Sequence, residues 1–252
     1  MPESLQAEQE IAHGRMLAQG DTELTWGWGT PAGQIRARRR AALIAQYAGL
    51  GPGVRALEIG CGTGLFTEMF AQTGARLVAL DISEDLLEKA FSRNLPPERV
   101  KFIAGRLEDY RGEALFDAVI GSSILHHLDL RLALPRIYAL LKPGGRIGFA
   151  EPNLLNPQVF IERRFAWYRP WFWYVSPDET AFVRWRLAGR LQQAGFADLA
   201  ITPFDWLHPA IPESLIAPAM SLGRLLEKLP LIKEFAGSLC ISGRRPPGRG
   251  GK

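Results

Sequence analysis

With 252 residues, of which 47% are hydrophobic and 22% charged, the chain has the composition of a globular protein rather than of a disordered or fibrous one. No apolar run approaches the roughly 20 residues that a membrane-spanning helix needs, and the polar, acidic first residues predict no secretory signal. The net charge of +4 is concentrated at residues 243–252 and at Arg36, Arg38, Arg39 and Arg40, so it is only weak support for a nucleic-acid partner.

The first half of the chain predicts an α/β fold. Residues 1–50 hold a polar lead-in and then a basic helix at 34–48, and we expect them to form an N-terminal helical cap. Beyond them, short runs rich in Val, Ile, Leu, Phe and Ala alternate with helical stretches. We predict strands at 54–59, 76–81, 99–103, 116–120 and 146–150, and helices at 65–72, 84–92 and 135–141, the last beginning at Pro135. This alternation indicates a doubly wound parallel sheet with right-handed crossovers.

The second half of the chain predicts two insertions into the same sheet. After a core at 51–151, we expect an aromatic lid insertion at 152–180, with a helix start at 176–182. Residues 181–243 complete the core and contain an apolar helical insertion at 209–236. Their predicted elements are helices at 181–194 and 213–235 and strands at 198–204 and 238–242. Residues 244–252, rich in Pro and Gly, are predicted to be a disordered tail.

The sequence LEIGCGTG at 57–64 joins the first strand to the first helix. Gly60, Gly62 and Gly64 allow positive φ and let a ligand approach the backbone without a Cβ in the way. The helix that follows presents N–H groups at its start, which suit a polar or anionic ligand group. Because small cofactors bind at the switch point of such a sheet, this loop predicts a cofactor site.

Two acids refine that prediction. Asp81, at the end of the second strand about twenty residues beyond Gly60, is placed to accept hydrogen bonds from both ribose hydroxyls, with Ile82 against the adenine. Glu58, just before the loop, disfavours a pyrophosphate and suits a cationic group such as a sulfonium amino acid. The spacing G-x-G-x-G also differs from the G-x-G-x-x-G of dinucleotide-binding enzymes, which disfavours a nucleotide-linked oxidoreductase.

Across residues 54–151 the chain resembles the class I S-adenosylmethionine-dependent methyltransferases. The matching stretches are LEIGCGTG, VALDIS, AGRLEDY, FDAVIGSSILHHL and LLKPGGRIGFAEP, five motifs in the family's order. The resemblance implies a mostly parallel seven-stranded, Rossmann-like sheet with helical cap insertions. It also implies an enzyme that uses S-adenosyl-L-methionine and releases S-adenosyl-L-homocysteine.

The same resemblance implies a cofactor role for ten residues. The methionine part would be surrounded by Glu58, Gly60, Gly62 and Gly64. Asp81 would hold the ribose, and Ile82 would lie against the adenine. Leu107 and Glu108 would border the adenine, and Gly121 and Ser122 would form the floor of the site. Many relatives have an acid directly after the glycine of the third motif, whereas here Arg106 follows Gly105. We therefore expect backbone groups or Glu108 to bind the adenine amino group.

Methyl transfer from a sulfonium is an in-line displacement, so the protein mainly has to position the acceptor and exclude water. A general base is needed only for a hydroxyl or a similarly weak nucleophile. His126 and His127, after the fourth strand, are the candidates, with His126 preferred and with packing or capping as the alternative role. Glu151, at the end of the fifth strand, either contacts the substrate or caps the following turn.

The two insertions bear on the acceptor. Eight of the chain's 25 aromatic residues lie at 160–174, among them Trp167, Tyr168 and Trp171. Three roles are open for these residues. They line a wall for a large apolar acceptor, they contact a membrane surface together with the neighbouring arginines, or they pack a lid onto the sheet. The insertion at 209–236 must also bury its apolar face, which favours a hydrophobic or lipid-linked acceptor. A dimer interface is the alternative, so monomer and homodimer are both open.

Three further expectations concern arginines, cysteines and histidines. Arg36 and Arg40 fall one turn apart on the basic helix, where we expect a solvated face, with contact to the methionine carboxylate or an anionic acceptor group as the alternative. Two distant cysteines, Cys61 and Cys240, favour a reducing cytoplasm. The four histidines show no metal-ligand spacing, and we expect no metal.

A small-molecule methyltransferase is therefore the leading interpretation, and two alternatives accompany it. One is a non-catalytic S-adenosylmethionine-binding protein of the same fold. The other is an RNA methyltransferase, although GSSILHHL at 121–128 lacks the Asn/Asp-Pro-Pro-aromatic signature of enzymes that methylate base amino groups. No nucleic-acid partner is favoured.

Overall fold

A computed structural model describes residues 3–112, 114–164 and 181–248 of the chain. Their strands are β1 (Arg55–Ile59), β2 (Arg76–Asp81), β3 (Val100–Ala104), β4 (Phe116–Ser122), β5 (Leu141–Pro152), β6 (Ala197–Phe204) and β7 (Ser238–Arg244). They form one sheet in the order β3-β2-β1-β4-β5-β7-β6, in which β7 runs antiparallel to the other six strands. The prediction of a doubly wound, mostly parallel seven-stranded sheet is confirmed.

The described helices are α1 (Glu3–Ala18), α2 (Thr22–Thr25), α3 (Pro31–Ala48), α4 (Leu65–Ala71), α5 (Glu84–Phe91), α6 (Leu130–Leu140), α7 (Pro157–Arg164), α8 (Arg184–Gln193) and α9 (Glu213–Leu226). Short 3₁₀ turns follow β4 at Leu125–His127 and α9 at Ile232–Phe235. Hydroxyl caps begin two of the helices, since Thr30 accepts from Gly33 N and Ser83 from Leu86 N. None of the helices within the described ranges is both long and apolar enough to cross a membrane.

Alternate side chains of the strands point to opposite faces of the sheet, and each face has its own core. On one face α3 and α4 pack Ile44 and Phe70 against the sheet. On the other, α6 and α8 contribute Ile137 and Leu187. Close approach of α3 depends on Gly148 of β5, because a Cβ there would lie 2.8 Å from the Ile44 carbonyl oxygen.

The fourth predicted helix begins earlier than expected. α6 starts at Leu130, with Asp129 capping the Arg131 N–H at 2.9 Å, and Pro135 lies inside the helix rather than at its first position. Proline inside a helix removes one N–H donor and costs free energy. Burial of Leu130, Leu134 and Ile137 against the sheet offsets that cost.

The C-terminal part departs from the predicted boundaries at three places. Phe182 forms a backbone bridge with Asn153, so α8 begins at Arg184 and not at residue 181 as predicted. A helix start was expected at 176–182, but residues 176–180 lie outside the described residues. The apolar insertion is α9 followed by a separate 3₁₀ turn rather than one helix. β7 extends to Arg244, and Arg245 N donates to the Gly145 carbonyl, so these two residues do not begin a disordered tail.

Candidate active site

The carboxyl ends of β1, β2, β4 and β5 meet at one edge of the sheet. Ile59 pairs with Leu80, and Ser122 pairs with Ala150, so the residues that follow these strands lie side by side. Strand order reverses between β1 and β4, which is where doubly wound folds bind small ligands. A cavity of about 340 Å³ opens there, within the range of small-molecule sites.

The glycine loop forms one wall of this cavity. Gly60 N and Cys61 N both donate to the Leu80 carbonyl, at 2.7 and 3.1 Å, which ties the loop to the end of β2. Gly60 has φ +67°, and a Cβ there would lie 2.5 Å from Ile124 Cδ1. Gly60 and Gly62 line the cavity. Gly64 does not: it begins α4, and a Cβ on it would point at Ala90 of α5.

Asp81 lies against the same loop. Its Oδ2 accepts from Gly62 N at 2.6 Å and its Oδ1 from Ser83 N at 2.9 Å. Burial raises the pKa of Asp81, and these two N–H groups oppose that rise. A carboxylate has about four lone-pair sites, so further donors can still bind to it from the cavity. Ile82 lines the cavity next to it.

Glu58 lies beneath the loop rather than in the cavity wall. Its side chain is fully buried, and desolvation raises its pKa to about 8, with the charge of Asp81 adding to the rise. Its Oε2 has no hydrogen-bond partner among the described residues. A buried carboxyl of this kind is costly to ionise unless a positive charge comes close. It therefore favours a cationic group above the loop.

The remaining predicted cofactor residues divide into two groups. Leu107, Glu108 and Ser122 line the cavity. Gly121 does not: it is packed in the sheet, where a Cβ would lie 3.0 Å from the Ile59 carbonyl oxygen. Arg106, which stands where many relatives have an acid, is 3.6 Å from the Glu108 carboxylate and also lines the cavity.

A histidine–glutamate pair occupies the opposite wall. His126 Nδ1 lies 2.6 Å from Glu151 Oε2, and both side chains are buried. Glu151 Oε1 accepts from Ile124 N and Leu125 N, at 3.0 and 2.8 Å. Glu151 is therefore not at the cavity surface: it caps the turn after β4, not the turn after β5, and orients His126. A carboxylate oxygen accepts in such a contact, so the Nδ1–H of His126 is the donor to Glu151.

His127 also lines the cavity, in contact with a residue that the sequence did not single out. Its Nδ1 lies 3.1 Å from Glu10 Oε1 of α1. α1 packs closely on α5, because a Cβ at Gly14 would lie 2.5 Å from the Ser83 hydroxyl oxygen. Glu10, His13 and Leu17 of α1 thereby become cavity walls, and Trp26 and Trp28, between α2 and α3, also line the cavity. A polar stretch such as 3–18 carries no local signal that would have placed it there.

The expectation of a solvated face for Arg36 and Arg40 is wrong. Arg40 is buried and donates to Ser123 Oγ, to the Ala150 carbonyl and to Ser238 Oγ, at 2.9, 2.9 and 2.6 Å. Desolvation lowers its pKa to about 10. Arg36 forms a 2.9 Å ion pair with Asp205. Neither lines the cavity; Arg40 instead supports the ends of β4 and β5 from behind.

The candidate substrate residues Trp167, Tyr168 and Trp171 lie outside the described residues. Of the insertion that contains them, Pro152 and Arg163 line the cavity. The start of the lid insertion therefore borders the site.

Comparison with protein families matches residues 56–145 to a methyltransferase domain. Nodulation protein S of Rhizobium tropici is 26% identical over 135 residues, which cover 52% of this chain and 57% of that protein. Ubiquinone biosynthesis O-methyltransferase of Xanthomonas campestris pv. campestris is 38% identical over 106 residues, 40% of this chain and 44% of that protein. The chain thus spans about half the length of the curated relatives it matches.

Solved structures share the fold over most of the chain. N-methyltransferase NodS from Bradyrhizobium japonicum, in complex with S-adenosyl-L-homocysteine, has a TM-score of 0.56 at 19% identity, covering 86% of this chain and 89% of that one. A putative methyltransferase of Haloferax volcanii, in complex with the Trm112 activator, has a TM-score of 0.66 at 19% identity, covering 92% and 97%. Residues 56–145 thus match a methyltransferase domain, and most of the chain shares the fold of these solved methyltransferase structures.

Proposed function

We propose that this chain transfers a methyl group from S-adenosyl-L-methionine to a small-molecule acceptor. The observation that carries the proposal is the cavity at the switch point, which joins the glycine loop and Asp81 to the His126–Glu151 pair. The residues present fit the cofactor, because Glu58 Oε2 is a buried acceptor without a partner in the described chain, and Gly60 and Gly62 leave the wall open.

Each part of the cofactor would meet a matching group. Asp81 would accept hydrogen bonds from the ribose hydroxyls. Ile82 and Leu107 offer apolar contacts for adenine, and Glu108 an acceptor for its amino group. Gly60 and Gly62, with the buried carboxyl of Glu58 below them, would hold the cationic methionine part. Gly64 and Gly121 would act only through the packing of the loop and the sheet.

The bound cofactor supplies a methyl group on a sulfonium, which is a good leaving group. The chain then has to align the acceptor, exclude water and accept a proton where the acceptor is weakly nucleophilic. His126 would take the proton at Nε2 while its Nδ1–H donates to Glu151. This arrangement favours a hydroxyl acceptor, since an amine nucleophile that is already neutral needs no base.

The cavity walls favour an apolar acceptor. Aromatic and aliphatic surface is offered by Trp26, Trp28, Leu17, Phe66 and Leu86, which line the cavity together with its polar groups. We therefore propose a hydrophobic or lipid-linked hydroxyl compound as the substrate class. As part of the same proposal we place the protein in the cytoplasm, because both cysteines, Cys61 and Cys240, are free thiols.

Calorimetric titration with S-adenosyl-L-homocysteine tests the cofactor site. Wild type should bind with a dissociation constant of roughly micromolar order, and Asp81→Asn should weaken binding about 10- to 100-fold by removing a charged acceptor. Asp117→Asn is the matched control: Asp117 also accepts a backbone N–H, from Arg55 at 2.9 Å, but at the opposite edge of the sheet. Wild type that binds NAD but not S-adenosyl-L-homocysteine would overturn the proposal.

A mass-detected screen of hydroxyl, amine and carbon acceptors then tests turnover. A methylated hydroxyl compound is the expected product. Cofactor binding without any product would leave the non-catalytic binding protein as the function, and methylated RNA in a parallel incubation would favour the RNA methyltransferase.

A further inference from the structure

An exposed apolar surface lies on the outer side of α9 and on the turn after it. We call it the α9 surface and define it by Leu222, Leu225, Leu229, Leu231, Ile232 and Phe235. Leu231 is 81% exposed, Leu222 and Leu225 are 55% exposed, and Phe235 is 47% exposed. Contiguous apolar patches on soluble proteins are usually small, and larger ones mark sites of interaction.

α9 is apolar on two faces, and among the residues that the structure describes only one of these faces is covered. Ile216 is buried with Leu207 and Ala32 in a small cluster beside α3, and Gly223 packs on Trp206. Leu222 and Leu225 are three residues apart and share the other face of α9, and Leu229 follows in the turn after the helix. The packing of α9 onto α3 therefore does not account for the outer leucines.

Neighbouring elements adjoin the α9 surface. The Asn156 side chain, just before α7, donates to the Phe235 carbonyl at 2.9 Å. Arg184, at the start of α8, forms an ion pair with Glu234 at 2.7 Å, and the next residue, Trp185, is 58% exposed. α7 also carries Arg163, which lines the cavity. The α9 surface thus lies next to an element that borders the proposed active site.

The charges around the α9 surface are predominantly basic. Arg224, Lys228 and Lys233 lie within or beside it. Two of the three acids at 213–235 are neutralised from inside the protein, because Glu227 pairs with Arg39 at 2.6 Å and Glu234 pairs with Arg184. Leucines and aromatic residues fringed by lysines and arginines are typical of protein surfaces that lie in the interface of an anionic bilayer.

We propose that the α9 surface binds the surface of a membrane that contains anionic lipids. Leu222, Leu225, Leu231 and Phe235 enter the headgroup region, and Lys228 and Lys233 contact the lipid phosphates. A second copy of the chain fits less well, since a two-fold contact through this surface brings the same lysines of both copies together. Membrane binding does not require methyl transfer, so the two are measured separately.

Sedimentation with lipid vesicles tests this proposal. Full-length protein is mixed with vesicles of phosphatidylcholine, or with vesicles of which about one third is phosphatidylglycerol, at low salt. Wild type should bind the anionic vesicles with an affinity at least about tenfold higher than its affinity for the phosphatidylcholine vesicles. The double variant Leu222→Ser/Leu225→Ser should lose roughly tenfold or more of that affinity, because its apolar anchor is gone. Lys228→Glu/Lys233→Glu should lose the preference for anionic vesicles.

The matched control is Leu132→Ser on α6, where an apolar side chain is 47% exposed far from α9 in sequence. It should bind vesicles like wild type, and all variants should keep their affinity for S-adenosyl-L-homocysteine, which shows that they are folded. Equal binding by Leu222→Ser/Leu225→Ser and wild type overturns the proposal. The proposal is also overturned if wild type does not bind vesicles but forms a dimer in analytical ultracentrifugation, and if the Leu222→Ser/Leu225→Ser variant no longer forms that dimer.

Discussion

Glu151 holds His126 from the neighbouring strand, with its Oε2 2.6 Å from Nδ1 of the imidazole. The two residues are 25 positions apart, and they meet because β4 and β5 pair in parallel and end together. The other oxygen of Glu151 binds two backbone N–H groups, so the carboxylate cannot turn away without leaving buried donors unpaired.

This pair should govern turnover rather than cofactor binding. His126→Gln should lower kcat about 10²- to 10⁴-fold with a hydroxyl acceptor, since the proton acceptor is lost. Glu151→Gln should also lower kcat, because the amide can no longer hold the Nδ1–H tautomer, while its oxygen keeps an acceptor for the N–H groups. Steady-state kinetics with pH profiles measures both; an unchanged profile in Glu151→Gln would argue for a purely structural role.

His127→Gln is the matched comparison. His127 contacts Glu10 at 3.1 Å, and its charge influences Asp81, so it belongs to the cofactor side of the cavity. This substitution should raise the KM for S-adenosylmethionine and change kcat little. If instead His127→Gln lowered kcat and His126→Gln raised the KM for S-adenosylmethionine, His127 would be the base and His126 the residue on the cofactor side.

Glu58 should make the stability of the free protein depend on pH. Burial raises its folded pKa to about 8, so the native state binds more protons than the unfolded state between roughly pH 5 and 8. The free energy of unfolding therefore falls as pH rises through this window, by up to about 1 kcal/mol per pH unit. Urea unfolding at pH 5.5 and 8 should show that Glu58→Gln lacks this component. If the free energy of unfolding changes equally with pH in the variant and in wild type, Glu58 does not cause the pH dependence.

Cofactor binding should release a proton from the same residue. A cationic group above the loop favours the ionised form of Glu58, and near pH 7 the free protein holds this carboxyl protonated. Titrations with S-adenosyl-L-homocysteine in buffers of different ionisation enthalpy should show release of up to about one proton. Glu58→Gln should release none, and a wild type without release would mean that Glu58 stays neutral in the complex.

Gly60→Ala should damage the loop. A left-handed conformation costs a residue with a side chain about 1–2 kcal/mol, and the added methyl would also press on Ile124. We expect loss of stability in urea together with at least tenfold weaker S-adenosyl-L-homocysteine binding. Gly51→Ala is the control, because a Cβ there has nothing within 4 Å. Equal behaviour of the two variants would show that the loop tolerates a side chain.

The sequence by itself determined the features that depend on neighbouring residues. The strand–turn–helix at 57–64, the acid at Asp81 and the cap at Ser83 are local, and hydrophobic periodicity was enough to predict the parallel strands within one or two residues at most ends. It was insufficient where packing overrides local preference, as at Pro135 inside α6 and at Phe182, which is extended because it bridges to Asn153.

Only the tertiary structure decided which distant groups share the cavity. Glu10 reaches His127 because α1 packs on α5, and Arg40 is buried because α3 lies against β5 at Gly148. These contacts join residues about a hundred positions apart, and their free energy comes from burial and from hydrogen bonds that exist only once the chain has folded. No pattern along the sequence records such pairs. The methyl donor and the candidate base His126 were therefore readable in the sequence, whereas the contact of His126 with Glu151 and the wall that α1 adds to the cavity were not.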